Sequence, residues 1–134
     1  MRKLKIVGCG SAIPKQTVVF GDQTRYRLEE GQTLLDLAEV AIHKALEDAE
    51  LEISDIDCII GGMATPLQGI PCNAALIHER VALGMDIPAM DINTSCTSFI
   101  TALDMAAYMT AAGRCRNILT VLWKNPIRSP MKMS

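Results

Sequence analysis

Asp91-Ile92-Asn93-Thr94-Ser95-Cys96-Thr97-Ser98-Phe99-Ile100 is the stretch whose reading decides the fold. Ala89 to Ile92 reads as a short strand, Asn93 to Ser95 as a tight polar turn, and a helix is expected from about Cys96. Thr94 and Ser95 are good N-cap residues, since a hydroxyl can accept from the free N–H groups of a first turn. From Thr97 to Ala112 the chain is almost wholly apolar, rich in Ala and Met, with neither Pro nor Gly before Gly113. A helix apolar on nearly every side is expected to be buried. Cys96 would then stand at a helix N-terminus, a position that favours a thiolate, in a sharp strand-to-helix turn. Several enzyme families present a nucleophile on such an elbow. A free Cys is also a common small core hydrophobe, and spacing alone leaves both readings open.

Composition narrows the class. The 134 residues are 49% hydrophobic and 21% charged, the balance of a soluble globular domain with a sizeable core. A net charge of −2 gives no basic footprint for nucleic acid. No apolar run approaches the roughly 18–20 residues of a membrane span, and the apolar run behind Met1-Arg2-Lys3 is too short for a signal peptide. The five cysteines (Cys9, Cys58, Cys72, Cys96, Cys115) are odd in number and contain no Cys-x-x-Cys pair. Neither histidine is near a cysteine in sequence, so no metal site is expected. Reduced thiols in a cytoplasmic chain follow as the expectation.

Working outward, Lys3 to Cys9 reads as a first strand ending in Gly8-Cys9-Gly10-Ser11. A dinucleotide fingerprint would need a third glycine at Ile13 and a helix where Pro14 stands, so a close-packed turn is the better reading. Residues 14–32 read as loop. Thr33 to Glu50 is the clearest amphipathic helix, with Leu34, Ala38, Ile42 and Leu46 on one face and Glu39, His43 and Glu47 on the other. Thr33 should cap it, with Asp36 in the capping-box position. Cys58 to Met63 is a continuous apolar run, as in a strand covered on both faces of a parallel sheet, with Cys58 in the core. Ala64 to Pro71 is a loop at the C-terminal end of that strand, where open α/β sheets place ligands. Pro71 is expected to open a helix reaching about Leu83, with His78 partly exposed on it. Ile87 to Ile92 feeds the elbow, Arg114-Cys115-Arg116 is a polar link, and Asn117 to Leu122 is a last strand. Four strands alternating with three helices make an α/β layered domain, mostly parallel, with right-handed crossovers.

The pattern Asp-Ile-x-x-x-Cys-Thr-Ser-Phe at 91–99, the Ala-rich helix behind it and the closing Ala112-Gly113 resemble the active-site segment of β-ketoacyl-acyl-carrier-protein synthase III, of the thiolase superfamily. Lys-Ile-Val-Gly-x-Gly-Ser-x-x-Pro at 5–14 is similar to the first strand of that family. The resemblance spans residues 3–121 and implies the N-terminal half of a thiolase-like α/β fold. It divides the chain into a half-domain at 1–121 and an unmatched tail at 122–134. It implies an acyltransferase of fatty-acid biosynthesis that condenses an acyl-coenzyme A primer with malonyl-acyl carrier protein, with Cys96 holding the acyl group as a thioester. It implies acyl-coenzyme A as substrate with no permanently bound cofactor, acyl carrier protein as partner, and a homodimer in the full-length family. Thr24-Arg25 matches the Thr-Arg of a coenzyme A-contacting motif, which would put Arg25 near the adenine or phosphates. The loop here is shorter, lacks the family's Trp, and has Arg27 where the motif has Gly. Ile70, before Pro71, takes the place of an apolar residue that lines the dimer partner's acyl pocket.

The resemblance stops near Leu122. The tail that follows holds the single Trp, two prolines and no acidic residue. In the family a His and an Asn of the second half support decarboxylation and the enolate, and neither carries over to this chain. An incomplete, inactive fragment, with a frameshift or gene break near Leu122, is the expectation. Two other readings stay open. One is a different acyltransferase of the superfamily, hydroxymethylglutaryl-coenzyme A synthase-like or of secondary metabolism. The other is a non-catalytic α/β remnant with an exposed apolar face.

Overall fold

The protein is described by a computed structural model that covers residues 4–124, apart from the side chains of residues 17, 18, 20, 24 and 25. A hairpin comes first, β1 (Gln16–Phe20) and β2 (Gln23–Arg27). Then follow α1 (Leu34–Ala49), β3 (Cys58–Gly62), α2 (Asn73–Val81), β4 (Ala89–Ile92), α3 (Ser98–Ala111) and β5 (Ile118–Val121).

Alternation along the strands builds the layers. β3 lies between β4 and β5, parallel to both, with Gly62 opposite Ile92 and Cys58 opposite Ile118. Ile59, Leu119 and Val121 face one side, where they pack with Leu34, Ala38, Ile42 and Leu46 of α1 and Ala74 and Ile77 of α2. Cys58 and Ile60 face the other, against Ala102 and Ala106 of α3. All five residues of β3 are buried, as its unbroken apolar run predicts. Burying one Ile such as Ile59 or Ile60, each 0% exposed, is worth roughly 1.5–3 kcal/mol.

α1 forms where its pattern places it. Thr33 accepts from the Asp36 N–H while the Asp36 carboxylate accepts from the Thr33 N–H, a complete capping box. His43 is on the solvent side, as expected, beside Glu39. Arg80 of α2 reaches across to Asp36 and Glu39, tying the two helices together. The Arg80 bond holds the Asp36 carboxyl below the usual carboxylate range.

Several expectations are corrected. Lys3 is outside the described residues, and Leu4 to Cys9 belongs to no strand. Residues 14–32 are not all loop, because Gly21, at a φ of 61°, turns the chain between β1 and β2. α2 opens at Asn73 with Cys72 at its N-cap, and Pro71 lies outside the helix. α3 is covered on one side, not all round: Ser98, Ala102 and Ala106 are buried, while Ile100 and Tyr108 are 67% and 60% exposed. Cys115, expected in a polar link, is instead buried beside Cys58, and burial raises the thiol pKa of both. Trp123, expected in the tail, packs into the α1 side of the core. Residues 125–134, the rest of that tail, are outside the described residues.

Candidate active site

Parallel pairing of β3 and β4 brings two chain exits to one end of the sheet. After Gly62 the chain enters the loop carrying Ile70; after Ile92 it enters the turn carrying Cys96. Ser95 to Thr97 forms one 3-10 turn, and α3 begins at Ser98. Cys96 is exposed at this strand-to-helix junction and is a free thiol, as are the other four cysteines. Among the described residues it has no hydrogen-bond partner.

Polar groups wind tightly around the turn. Ser95 has a φ of 58°, a left-handed conformation that is uncommon outside glycine. Its N–H donates to Asn93 Oδ1 at 3.0 Å, and its carbonyl accepts from the Ser98 hydroxyl at 2.6 Å. The same Ser98 oxygen accepts from the Thr94 N–H at 2.9 Å, and Ser98 is 2% exposed. Thr97 donates to the Thr94 carbonyl at 2.7 Å, and the Thr94 and Thr101 hydroxyls meet at 2.8 Å. Thr94 and Ser95 therefore do not cap the helix as expected; their groups bond within the turn, and no side chain caps α3. Gly62 lets the elbow press onto the sheet, since a Cβ there would lie 2.9 Å from both Phe99 Cα and Ala102 Cβ.

The neighbouring loop is anchored to the same elements. Asn93 Nδ2 donates to the Ala64 carbonyl at 3.3 Å, linking elbow and loop. Asn73, 1% exposed, donates to the Thr65 carbonyl and accepts from the Leu67 N–H. The Asp91 carboxylate takes the Asn73 and Ala74 N–H groups at 2.9 and 2.8 Å, holding a negative charge at the N-terminus of α2. Ile70 projects from this loop at 89% exposed. Ser98, Asn93, Asn73 and Asp91 went unassigned in the sequence reading. The one signal for Ser98 was a hydroxyl at the start of an otherwise apolar helix.

The Asn93–Ala64 bond brings the Cys96 elbow and the Ile70 loop together. Arg25 lies in β2 opposite Val18, and its side chain is outside the described residues. His78 bonds the Met85 carbonyl at 2.8 Å, and His43 lies on the solvent face of α1. Among the described residues no cluster of three or more His, Cys, Asp or Glu could hold a metal ion, and no helix is long and apolar enough to cross a membrane.

A layered α/β domain that presents an exposed cysteine on a strand-to-helix elbow, at the C-terminal end of a parallel sheet, is the class these features define. The family model for the thiolase N-terminal domain matches residues 19–121, and the chain belongs to that family. β-Ketoacyl-[acyl-carrier-protein] synthase III of Rhizorhabdus wittichii is 32% identical over 139 aligned positions, covering 90% of this chain and 43% of the relative. Among solved structures, 3-oxoacyl-[acyl-carrier-protein] synthase III from Aquifex aeolicus is 27% identical with a TM-score of 0.79, over 88% of this chain and 44% of that one. AbyA1, a tetronic acid condensing enzyme, is 26% identical with a TM-score of 0.79, over 89% and 42%. The chain thus spans less than half the length of the proteins it matches.

Proposed function

We propose that this chain carries the acyl-accepting half of a synthase III-type condensing acyltransferase, with Cys96 as the acyl acceptor. The observation that carries the reading is the exposed Cys96 thiol on its polar-braced elbow, in a chain 32% identical to a synthase III. The Cys96 thiolate attacks the carbonyl carbon of an acyl-coenzyme A. The carbon–sulfur bond to coenzyme A breaks, coenzyme A leaves as its thiolate, and the acyl group stays on Cys96 Sγ as a thioester. In this reading the thioester then condenses with malonyl-acyl carrier protein, whose malonyl group loses carbon dioxide to supply the attacking carbon. Arg25 is assigned to the adenine or phosphates of coenzyme A, and Ile70 to the wall of an acyl pocket across a dimer.

The similarity to a tetronic acid condensing enzyme, with the same TM-score of 0.79 as the solved synthase III, favours one second reading, a condensing enzyme of secondary metabolism with a different acyl donor. Incubation with acetyl-coenzyme A followed by intact mass measurement tests the main reading. The expected result is one acetyl adduct on the wild type and on Cys9→Ser, and none on Cys96→Ser. No wild-type adduct with any straight-chain or branched acyl-coenzyme A, or an adduct retained by Cys96→Ser, contradicts it. An adduct formed with longer acyl donors but not with acetyl selects the second reading.

A further inference from the structure

Asn73 is a buried amide, 1% exposed, at the start of a helix whose Ala74 and Ile77 belong to the core. An amide in such a place costs free energy unless its hydrogen bonds are made. Both of its side-chain bonds leave the helix it opens. The helix end is served instead by the Asp91 carboxylate of β4, which accepts the Asn73 and Ala74 N–H groups. Gly61, the β3 partner of Asp91, leaves room for that carboxylate, since a Cβ there would lie 2.5 Å from Asp91 Oδ1. The Asn73 side chain is thereby released to the loop after β3. Its Oδ1 accepts from the Leu67 N–H at 3.0 Å, and its Nδ2 donates to the Thr65 carbonyl at 3.1 Å. The segment it holds adjoins the elbow of the thiol. The Ala64 carbonyl accepts from Asn93 Nδ2, and Asn93 Oδ1 accepts from the N–H of Ser95, the residue before Cys96.

A Leu would fill the Asn73 site at similar volume with no amide to satisfy, so what the amide adds is the position of the loop. Beyond the clamp the loop is held by its own bond, from Gln68 Nε2 to the Ile70 carbonyl at 2.8 Å. Leu67 and Ile70 stand out from it, 40% and 89% exposed. Moving a wall beside a reacting group by about 1 Å changes rates by up to on the order of a hundredfold. It does so by changing which reactants fit, not by changing the thiol. We propose that Asn73 is a positioning residue for the acylation of Cys96: by fixing Thr65 to Leu67 beside the elbow, it sets which acyl chain lengths reach the thiol. Asn73 touches no reacting atom, and the transfer, with coenzyme A leaving as its thiolate, is the one described above. This rests on Cys96 as the acyl acceptor.

The test measures Cys96 acylation of the full 134-residue chain by acetyl-, butyryl-, hexanoyl- and octanoyl-coenzyme A, in the wild type and two variants. Asn73→Ala removes the clamp from the helix side. Leu67→Pro removes the accepted N–H from the loop side, leaves α2 untouched, and carries the test if Asn73→Ala does not fold. In each variant the ratio of octanoyl to acetyl rates should shift by at least about tenfold. The rate of Cys96 alkylation by iodoacetamide, which reads the thiol alone, should stay unchanged. The Leu67 amide should be protected from deuterium exchange in the wild type and lose that protection in Asn73→Ala. An unshifted ratio in the folded variants overturns the proposal, as does a fall of all four acylation rates in step with the iodoacetamide rate. An unprotected Leu67 amide in the wild type overturns it too. A wild type that forms no adduct with any donor is a different failure: it removes the acyl-acceptor reading, and this inference with it.

Discussion

Ser95 is held in a conformation that costs a non-glycine residue about 1–3 kcal/mol, and the residue that holds it is Ser98. One buried hydroxyl spans the turn, accepting from the Thr94 N–H and donating to the Ser95 carbonyl. Ser98→Ala leaves both of those backbone groups without their partner. The expected cost is about 1–3 kcal/mol in urea denaturation, with a changed rate of Cys96 alkylation by iodoacetamide as the turn relaxes. An unaltered urea midpoint and unaltered alkylation would show that the hydroxyl holds nothing. The placement of Cys96 on an elbow was legible in the sequence because a strand, a polar turn and an apolar helix run consecutively there. The bracing was not, because Asn93, Thr94 and Ser95 carry the composition of a helix cap, and composition does not say which backbone groups a hydroxyl will reach.

At the level of elements, β5 is joined to β3 by more than its ladder. The Asp57 carboxylate, just before β3, accepts from the Arg116 and Asn117 N–H groups at 2.8 and 3.0 Å. The Asn117 and Arg116 backbone bonds hold its pKa below the ordinary carboxylate value. Because the folded value lies below the unfolded one, the stabilisation is full above the unfolded pKa of about 4 and fades as pH falls through the folded one. Asp57→Ala should cost about 1 kcal/mol at pH 7, a figure kept small because the carboxylate is exposed. Stability curves of variant and wild type should draw together as pH falls below about 4; a gap that does not narrow on acidification would contradict this.

Elements with a strong local signal emerged as read. α1 has a 3.6-residue period and a complete cap, and β3 has a fully apolar run. The hairpin was missed although Gly21-Asp22 between two β-rich runs is a recognisable turn signal. Its alternation is masked by Gln16, Gln23, Arg25 and Arg27. Leu4–Cys9 has a strand's composition but is not in a strand, because pairing depends on a neighbour that composition cannot supply.

For the whole molecule, apolar side chains left at the surface are the dominant fact. Ile6, Val7, Ile70, Ile100, Leu83 and Tyr108 are all more than half exposed. Surfaces of this kind mark association sites. The chain purified alone should self-associate with rising concentration in size-exclusion chromatography, and a monomer invariant across a hundredfold range would count against an uncovered interface. The one-sided exposure of α3 belongs to the same account. Its all-round apolar sequence suits a helix covered on every side, and among the described residues only the face turned to the sheet is covered.

The central claim is that Cys96, alone among five free cysteines, is presented for acyl transfer. Peptide-resolved iodoacetamide labelling, with and without prior exposure to acyl-coenzyme A, tests it most directly. Cys58 and Cys115 are buried and should label only on unfolding, Cys9 and Cys96 should label in the folded chain, and acyl-coenzyme A should block Cys96 while leaving Cys9 unchanged. Equal labelling of Cys9 and Cys96, with no protection of Cys96 by any acyl-coenzyme A, would contradict the account.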